Sequence, residues 1–352
     1  MTVVPSLSSS LKAKLATPLN IGSVAVNSRV LQSPLSGVTD LVFRRLVRRY
    51  APQSMLYTEM VSAKDVSHLQ RLKKGAKRNS NKDSQPSPSI MEIAPDEKLI
   101  SIQLFDCRPD FMAEAARQAV AEGAQTIDIN MGCPVNKITK NGGGSSLLRQ
   151  PEVAEAIVKT VVEAVDVPVT VKTRLGWDDD EINIIDFARR LEAQGAQMLT
   201  LHARTRAQGY NGAARWSWIA QVKQALSIPV IANGDIFDLD AAINCLELTG
   251  ADGVMCSRGT LGYPFLVGEI DHFLTTGKIL PPPDVATRLQ CAKEHLFGLW
   301  EYKGQRGIYQ SRKHLAWYCK GFPGASELRK KVSRVASVAE GYEILDQAIS
   351  EL

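Results

Sequence analysis

A (β/α)8 barrel of the TIM type followed by a small C-terminal helical domain is the fold class predicted for this 352-residue chain. Three observations predict it. Eight apolar, β-branched runs end in Gly, Pro, Asn or Asp, and amphipathic helical patterns separate them. After the Pro281-Pro282-Pro283 break, helical periodicity continues to the end with no convincing strand. The length suits one barrel with an appendix, although two mid-sized domains also fit it. On pattern alone, a doubly wound sheet is the structural alternative.

The strand runs lie at 29–33, 55–59, 100–105, 126–130, 169–173, 198–202, 230–233 and 253–256. VIAN, TIDIN, VTVKT and MLTLH are nearly continuous in apolar character, as parallel strands buried on both faces require. Helical patterns occupy 110–122, 152–165, 181–194, 216–225 and 238–248. The segments EGAQTIDIN, QGAQMLTLH and TGADGVMC carry the small-residue helix ending that an α-to-β connection uses. The barrel is therefore assigned to 1–282 and the helical domain to 283–352. Within the barrel, 71–95 is polar, basic and rich in Pro and Ser, and is expected to be a poorly ordered insertion.

Hydrophobic residues make up 44% and charged residues 22%, a globular balance that excludes the disordered class. The 42 basic and 37 acidic residues leave a charge of +5, which permits an acidic partner without demanding one. Cys107, Cys133, Cys245, Cys256, Cys291 and Cys319 form no CxxC pair and no Cys/His cluster. Neither a disulfide framework nor a metal site is expected, and a reducing cytoplasm is the expected compartment. The N-terminus lacks a signal-peptide pattern and no 18 apolar residues run together, so secretion and membrane spanning are disfavoured.

Barrel chemistry collects past the C-terminal ends of the strands. Those ends carry Ser33-Pro34-Leu35-Ser36, Gln103, Asn130 with Cys133, Lys172 with Arg174, His202 with Arg204, Asn233-Gly234-Asp235, and Ser257-Arg258. A ring of polar side chains at nearly every strand end marks a site. Glycine turns after the last two strands leave N–H groups free for a phosphate, and Arg258 adds a charge-assisted contact. A lysine in a buried strand is costly unless it is paired or faces a ligand, so Lys172 points to a flavin or phosphate-bearing ligand, or else reaches solvent or a carboxylate at the strand end. Cys133 serves either as a general acid or, with a base such as His202 beside it, as a nucleophile. The Gly142-Gly143-Gly144 loop that follows reads as a lid or simply a flexible turn.

SPLSGVTD, ISIQLF, NMGCP with GGGSSLL downstream, VKTRLGW, LHARTRAQGY, IANGDI and SRG together resemble the tRNA-dihydrouridine synthase family. The likeness runs from about Val30 to Gly262 and reappears at Arg312-Lys313-His314 with Trp317-Tyr318. It implies an enzyme that binds FMN at the barrel mouth and uses NADPH to reduce selected tRNA uridines to 5,6-dihydrouridine. By position, Pro34, Leu35, Ser36, Gln103, Lys172, His202, Asn233, Gly234, Asp235, Ser257 and Arg258 would contact FMN. Cys133 would protonate C5 of the uracil, while hydride from reduced FMN reaches C6. Asn130, Arg174, His202 and Arg204 would surround the uracil, and Arg312, Lys313 and His314 would meet the tRNA. Leu35 and Ser36 stand where the family usually has Met and Ala, and Ser257 where it has Gly.

The tail adds a partner argument. Lys303, Arg306, Arg312, Lys313, Lys320, Arg329, Lys330, Lys331 and Arg334 are interleaved with Tyr302, Tyr309, Trp317 and Tyr318. Basic residues mixed with aromatics suit an RNA backbone. With the resemblance, the helical domain becomes the expected tRNA-docking element of a monomeric enzyme. On residues alone, an FMN barrel acting on a free pyrimidine and a non-catalytic RNA-binding barrel stay open; neither accounts for both ends of the chain.

Overall fold

A computed structural model describes residues 7–66 and 89–352. β1 (Leu19–Ile21) and β2 (Val24–Val26) form an antiparallel hairpin. The barrel follows as β3 (Val30–Gln32), β4 (Leu56–Tyr57), β5 (Val61–Ser62), β6 (Ile100–Phe105), β7 (Thr126–Met131), β8 (Val169–Arg174), β9 (Leu199–His202), β10 (Val230–Asn233) and β11 (Gly253–Cys256). The sheet order is β3-β11-β10-β9-β8-β7-β6-β4, with β5 prolonging the β4 edge against β6, and all of its pairs are parallel. The Gln32 N–H donates to Met55 O at 3.1 Å and brings the two ends of the sheet together. The (β/α)8 barrel expected from the apolar runs is therefore present, in place of a doubly wound sheet.

Around the barrel lie α1 (Ser9–Leu15), α2 (Leu41–Tyr50), α3 (Pro109–Ala121), α4 (Asn136–Thr139), α5 (Pro151–Val162), α6 (Ile184–Ala193), α7 (Ser217–Ala225), α8 (Leu239–Thr249) and α9 (Leu266–Thr276). Helix α8 shows why such units form here: Asp238 caps the Ala241 N–H at 2.7 Å, and Gly250 ends the helix in the left-handed region at φ 60°. The expected helix at 181–194 starts later, because an isolated bridge between Gly176 and Ile182 holds that stretch as a loop.

Two apolar layers fill the barrel. One lies between sheet and helices; the other, formed by Leu31, Met55, Tyr57, Met198, Ile231 and Met255, packs on Leu19, Ile21 and Val26 of the hairpin. The hairpin thus closes the N-terminal end and leaves the C-terminal end for chemistry.

After the prolines, Asp284 caps α10 (Val285–Lys303), which is followed by α11 (Gln305–Tyr318), α12 (Ala325–Val332) and α13 (Val338–Ser350). Their core of Leu289, Leu296, Ile308, Leu315, Val332 and Leu345 also takes in Leu46 of α2 and Phe265. The helical domain is thereby sealed to the barrel. Gly262, at φ 66°, lies so close to the Trp317 backbone that a Cβ has no room.

Of the insertion expected at 71–95, residues 71–88 lie outside the described residues. Residues 91–94 pack instead of standing free: Met91 and Ala94 are buried, and the Glu92 carbonyl accepts from Arg44 at 2.7 Å. Arg44 in turn holds Glu97 in a buried ion pair at 2.8 Å, which anchors the return into β6.

Candidate active site

Because side chains alternate along a strand, Gln103, Asn130, Lys172, Arg174, His202 and Asn233 all reach the C-terminal end of the barrel interior. They line a cavity of about 290 Å³ with Pro34, Leu35, Ser36, Cys133, Gly234, Asp235, Ser257 and Arg258. Residues read from seven separate segments are thus brought into one place.

Cys133 is held by the turn that ends β7. The Asn130 side-chain oxygen accepts the Gly132 and Cys133 N–H groups at 3.1 and 2.9 Å, and the Ser145 N–H and hydroxyl both donate to the Cys133 carbonyl. Gly144, at φ 60°, lies 2.7 Å from that carbonyl at the point where a Cβ would project, so the glycine loop packs beneath the cysteine. Burial raises the thiol's pKa against the opposing pull of the Val135 N–H, Arg174 and Lys172. The thiol therefore stays protonated at neutral pH, as a general acid must.

Lys172 is the principal electrostatic feature. Its Nζ donates to the Asn233 side-chain oxygen at 2.9 Å, and Asn233 passes its own amide to Met255 O and Ser257 Oγ at 2.8 and 2.9 Å. Burial and then Arg174 bring the ammonium down to about 8, although Asp128 and Cys133 oppose this. His202 is pushed well below its ordinary value by burial, then by Arg174, Lys172, Arg204 and Arg258, so its imidazole is neutral at pH 7. A neutral imidazole among cations is a poor base for a thiol, which disfavours the nucleophilic role for Cys133.

Arg174 is nearly buried and donates to the carbonyls of Gly132, Thr205 and Gly209 at 2.8, 3.0 and 2.8 Å. It therefore ties the cysteine turn to the loop after β9. At the far side, Trp216 Nε1 holds the Gly234 carbonyl at 2.9 Å, and Asp235 sits in the left-handed region at φ 58°. Among the described residues, the N–H groups of Gly234, Asp235, Ser257 and Arg258 find no protein acceptor. Two adjacent strand ends thus present unpaired donors beside Arg258, an arrangement that suits an anion.

The dihydrouridine synthase family model matches residues 31–352, the barrel and the helical domain together. The chain belongs to the dihydrouridine synthase family. It is 72% identical over 335 residues to the "Probable tRNA-dihydrouridine synthase 1" of Synechocystis sp., covering 95% of this chain and 90% of that protein. Similarity to "tRNA-dihydrouridine synthase B" of Xanthomonas axonopodis pv. citri is 40% over 317 residues, covering 90% and 91%. Among solved structures, histamine dehydrogenase from Rhizobium sp. 4-9 superposes with a TM-score of 0.53 at 15% identity, over 81% of this chain and 51% of that one. That likeness is one of fold alone.

In this dihydrouridine synthase, four of the expected substrate contacts lie off the cavity. Arg204 is buried, with one nitrogen on both Asp235 oxygens. Arg312 donates to the Val335 and Arg334 carbonyls, at 2.8 and 3.3 Å. His314 is buried in the helical core, its ring 4.5 Å from that of His295 and 5.1 Å from that of Trp317. Lys313 is exposed and borders a second cavity of about 690 Å³ between Gly37, Glu59 and α11.

Three residues absent from the expected set belong to the site. Tyr210 and Met60 line the cavity. Tyr210 is 56% exposed, with the Arg174 and Arg258 guanidinium carbons 5.5 and 5.0 Å from its ring centre. Asp128 lies one layer beneath and joins the site through Gln103. Its sequence signal was available: a lone acid inside the apolar run TIDIN.

Proposed function

We propose that this dihydrouridine synthase binds FMN in the barrel-mouth cavity and, with NADPH as reductant, converts selected tRNA uridines to 5,6-dihydrouridine. The observation that carries the reading is Lys172: a half-buried side chain whose ammonium bonds to a neutral amide and which, among the described residues, has no carboxylate within ion-pair distance. A desolvated cation of this kind is stabilised by an electron-rich ligand. The unpaired N–H groups at Gly234, Asp235, Ser257 and Arg258 fit the phosphate of the same ligand.

When bound, FMN would supply the hydride for C6, which no side chain can provide. The chain's residues do the rest. Pro34, Leu35, Ser36, Gln103, Lys172, His202 and Asn233 hold the ring system, with Gly234, Asp235, Ser257 and Arg258 at the phosphate end. Cys133 keeps a proton for C5, so one hydride from NADPH and one proton add across the 5,6 double bond. Asn130 fixes the cysteine turn, and Arg174 and His202 border the uracil. A uridine must leave its stack to enter, at a cost of a few kcal/mol. On the helical domain, the exposed side chains of Arg306, Lys331 and Arg334 have no hydrogen-bond or ion-pair partner among the described residues and are available to tRNA phosphates.

The test is direct. Purified protein carries flavin absorbance, and with NADPH it forms dihydrouridine in an unmodified tRNA transcript, measured by nucleoside mass spectrometry. Cys133→Ala keeps the flavin and loses at least about 100-fold in rate. Colourless protein, or full activity in Cys133→Ala, would overturn the corresponding part of the reading.

A further inference from the structure

Asp128 occupies the middle of β7, fully buried, on the interior face of the barrel. One carboxylate oxygen accepts the Thr170 hydroxyl; the other accepts Gln103 Nε2 at 2.6 Å. Gln103 Oε1 accepts Asn130 Nδ2 at 2.8 Å, and Asn130 Oδ1 accepts the Gly132 and Cys133 N–H groups. Burial raises the carboxyl to about 6, with Thr170, Gln103 and Lys172 opposing, so it is ionised at neutral pH.

The direction of every amide in this chain is forced. Backbone N–H groups only donate, so the Asn130 oxygen must face the cysteine turn and its nitrogen must face Gln103. Gln103 must then present oxygen to Asn130 and nitrogen inward, where an acceptor is required. Asp128 is that acceptor. Without it, a rotated Gln103 sets like groups face to face, and the Asn130 clamp on Cys133 loses its backing.

We propose that Asp128 is a positioning residue that acts through Gln103 and Asn130 to hold the Cys133 turn in its productive geometry. The inference rests on the reading of Cys133 as proton donor, and its test separates the two. Asp128→Leu removes the acceptor. Asp128→Asn keeps an oxygen for Gln103 and can donate to Thr170 Oγ1. Asn130→Asp reverses the polarity required of Gln103, and the pair Asp128→Asn with Asn130→Asp makes the chain self-consistent again in the opposite sense.

Two readouts apply to the full-length chain. In holoenzyme with tRNA and NADPH, Asp128→Leu is expected to lower kcat by about 10–100-fold with KM for tRNA unchanged, while Asp128→Asn stays within about threefold. In flavin-free protein, iodoacetamide alkylation of Cys133, followed by peptide mass spectrometry, is expected to accelerate severalfold in Asp128→Leu and not in Asp128→Asn. Wild-type kcat and alkylation rate in folded Asp128→Leu would overturn the proposal. The polarity swap decides the matter even where Asp128→Leu does not fold: adding Asp128→Asn to Asn130→Asp should restore the alkylation rate toward wild type, and no restoration overturns the relay. If Cys133→Ala alone proves fully active, the proton-donor reading fails, while the alkylation rates still report whether Asp128 sets the turn.

Discussion

The Asp235 carboxylate grips the Arg204 guanidinium through a single nitrogen, at 2.9 and 2.7 Å, with the Arg204 side chain only 2% exposed. Asp235 also accepts Arg258 and the Ala214 N–H, at 3.0 and 2.8 Å. Asp235→Ala leaves a buried guanidinium without its carboxylate, and the flavin-free protein is expected to lose about 3–5 kcal/mol in urea unfolding. Asp235→Leu combined with Arg204→Met should cost less than Asp235→Ala alone. A loss under about 1 kcal/mol in the single variant would mean that the Gly212 and Asn211 carbonyls suffice for Arg204.

Lys172 sets stability against ligand binding. Lys172→Met removes a desolvated charge that has no carboxylate partner among the described residues, so the flavin-free protein should gain about 1 kcal/mol or more in stability. FMN affinity should fall about 10–100-fold, the range of a lost charge-assisted bond. The pH dependence has a definite sign. The folded-state pKa is about 8, against 10.5 for an ordinary lysine, so the unfolded chain holds more protons between those values and stability rises across that window. If the cavity takes FMN as proposed, its affinity is expected to run the other way, falling above pH 8 as the ammonium is lost. Titrations of FMN at pH 7 and pH 9 on wild type and Lys172→Met check this; an equal drop in both removes Lys172 from the ligand contact.

Cys133 should titrate late. Burial outweighs the Val135 N–H, Arg174 and Lys172 and pushes the thiol pKa up. Site-resolved iodoacetamide alkylation should therefore inflect at higher pH than for an exposed cysteine, whose reference pKa is about 8.5. An inflection below pH 8 would assign a thiolate, and with it a nucleophile, to this position.

How much of this could be read beforehand depends on how local the signal is. Barrel strands β6 to β11 followed from uninterrupted apolar runs, because a strand buried on both faces leaves no other pattern. Strands β1, β2 and β5 span two or three residues each, too few for periodicity to register. Gln103, Lys172 and His202 were legible as polar endings of apolar runs. Arg204, two residues past His202, was expected to follow it into the site, but its guanidinium is taken up by Asp235 and by the Asn211 and Gly212 carbonyls. Tyr210 comes from a loop whose path no sequence spacing encodes. His314 was legible and was misplaced: with Ile308, Ser311, Leu315 and Tyr318 it shares the buried face of α11 at helical spacing.

That buried face makes the helical domain acid-sensitive. The rings of His295 and His314 lie 4.5 Å apart, and the Nε2 atoms of both have no partner among the described residues. Burial lowers His295 to about 4, with Asp40 raising and Lys303 lowering it further. His314 is carried well below the ordinary value by burial, then by His295, Lys313 and Lys303. Both imidazoles are neutral when folded, so below pH 6.5 the unfolded chain takes up protons that the folded chain refuses. Stability contributed by neutral burial is therefore complete above pH 6.5 and is lost as pH falls toward 4, by about 3 kcal/mol for His295 alone. Because both residues pack in the core shared with α2, the first opening at pH 5 should appear as hydrogen exchange in α10 and α11 while the barrel strands stay protected. His295→Met should flatten the difference in urea stability between pH 7 and pH 4.5. An unchanged pH slope in that variant would assign the acid sensitivity to carboxylates that folding holds below their ordinary value, such as Asp252, which Lys14 and Lys223 lower against the opposing effect of burial, and Asp106, which Arg108 lowers in the same way.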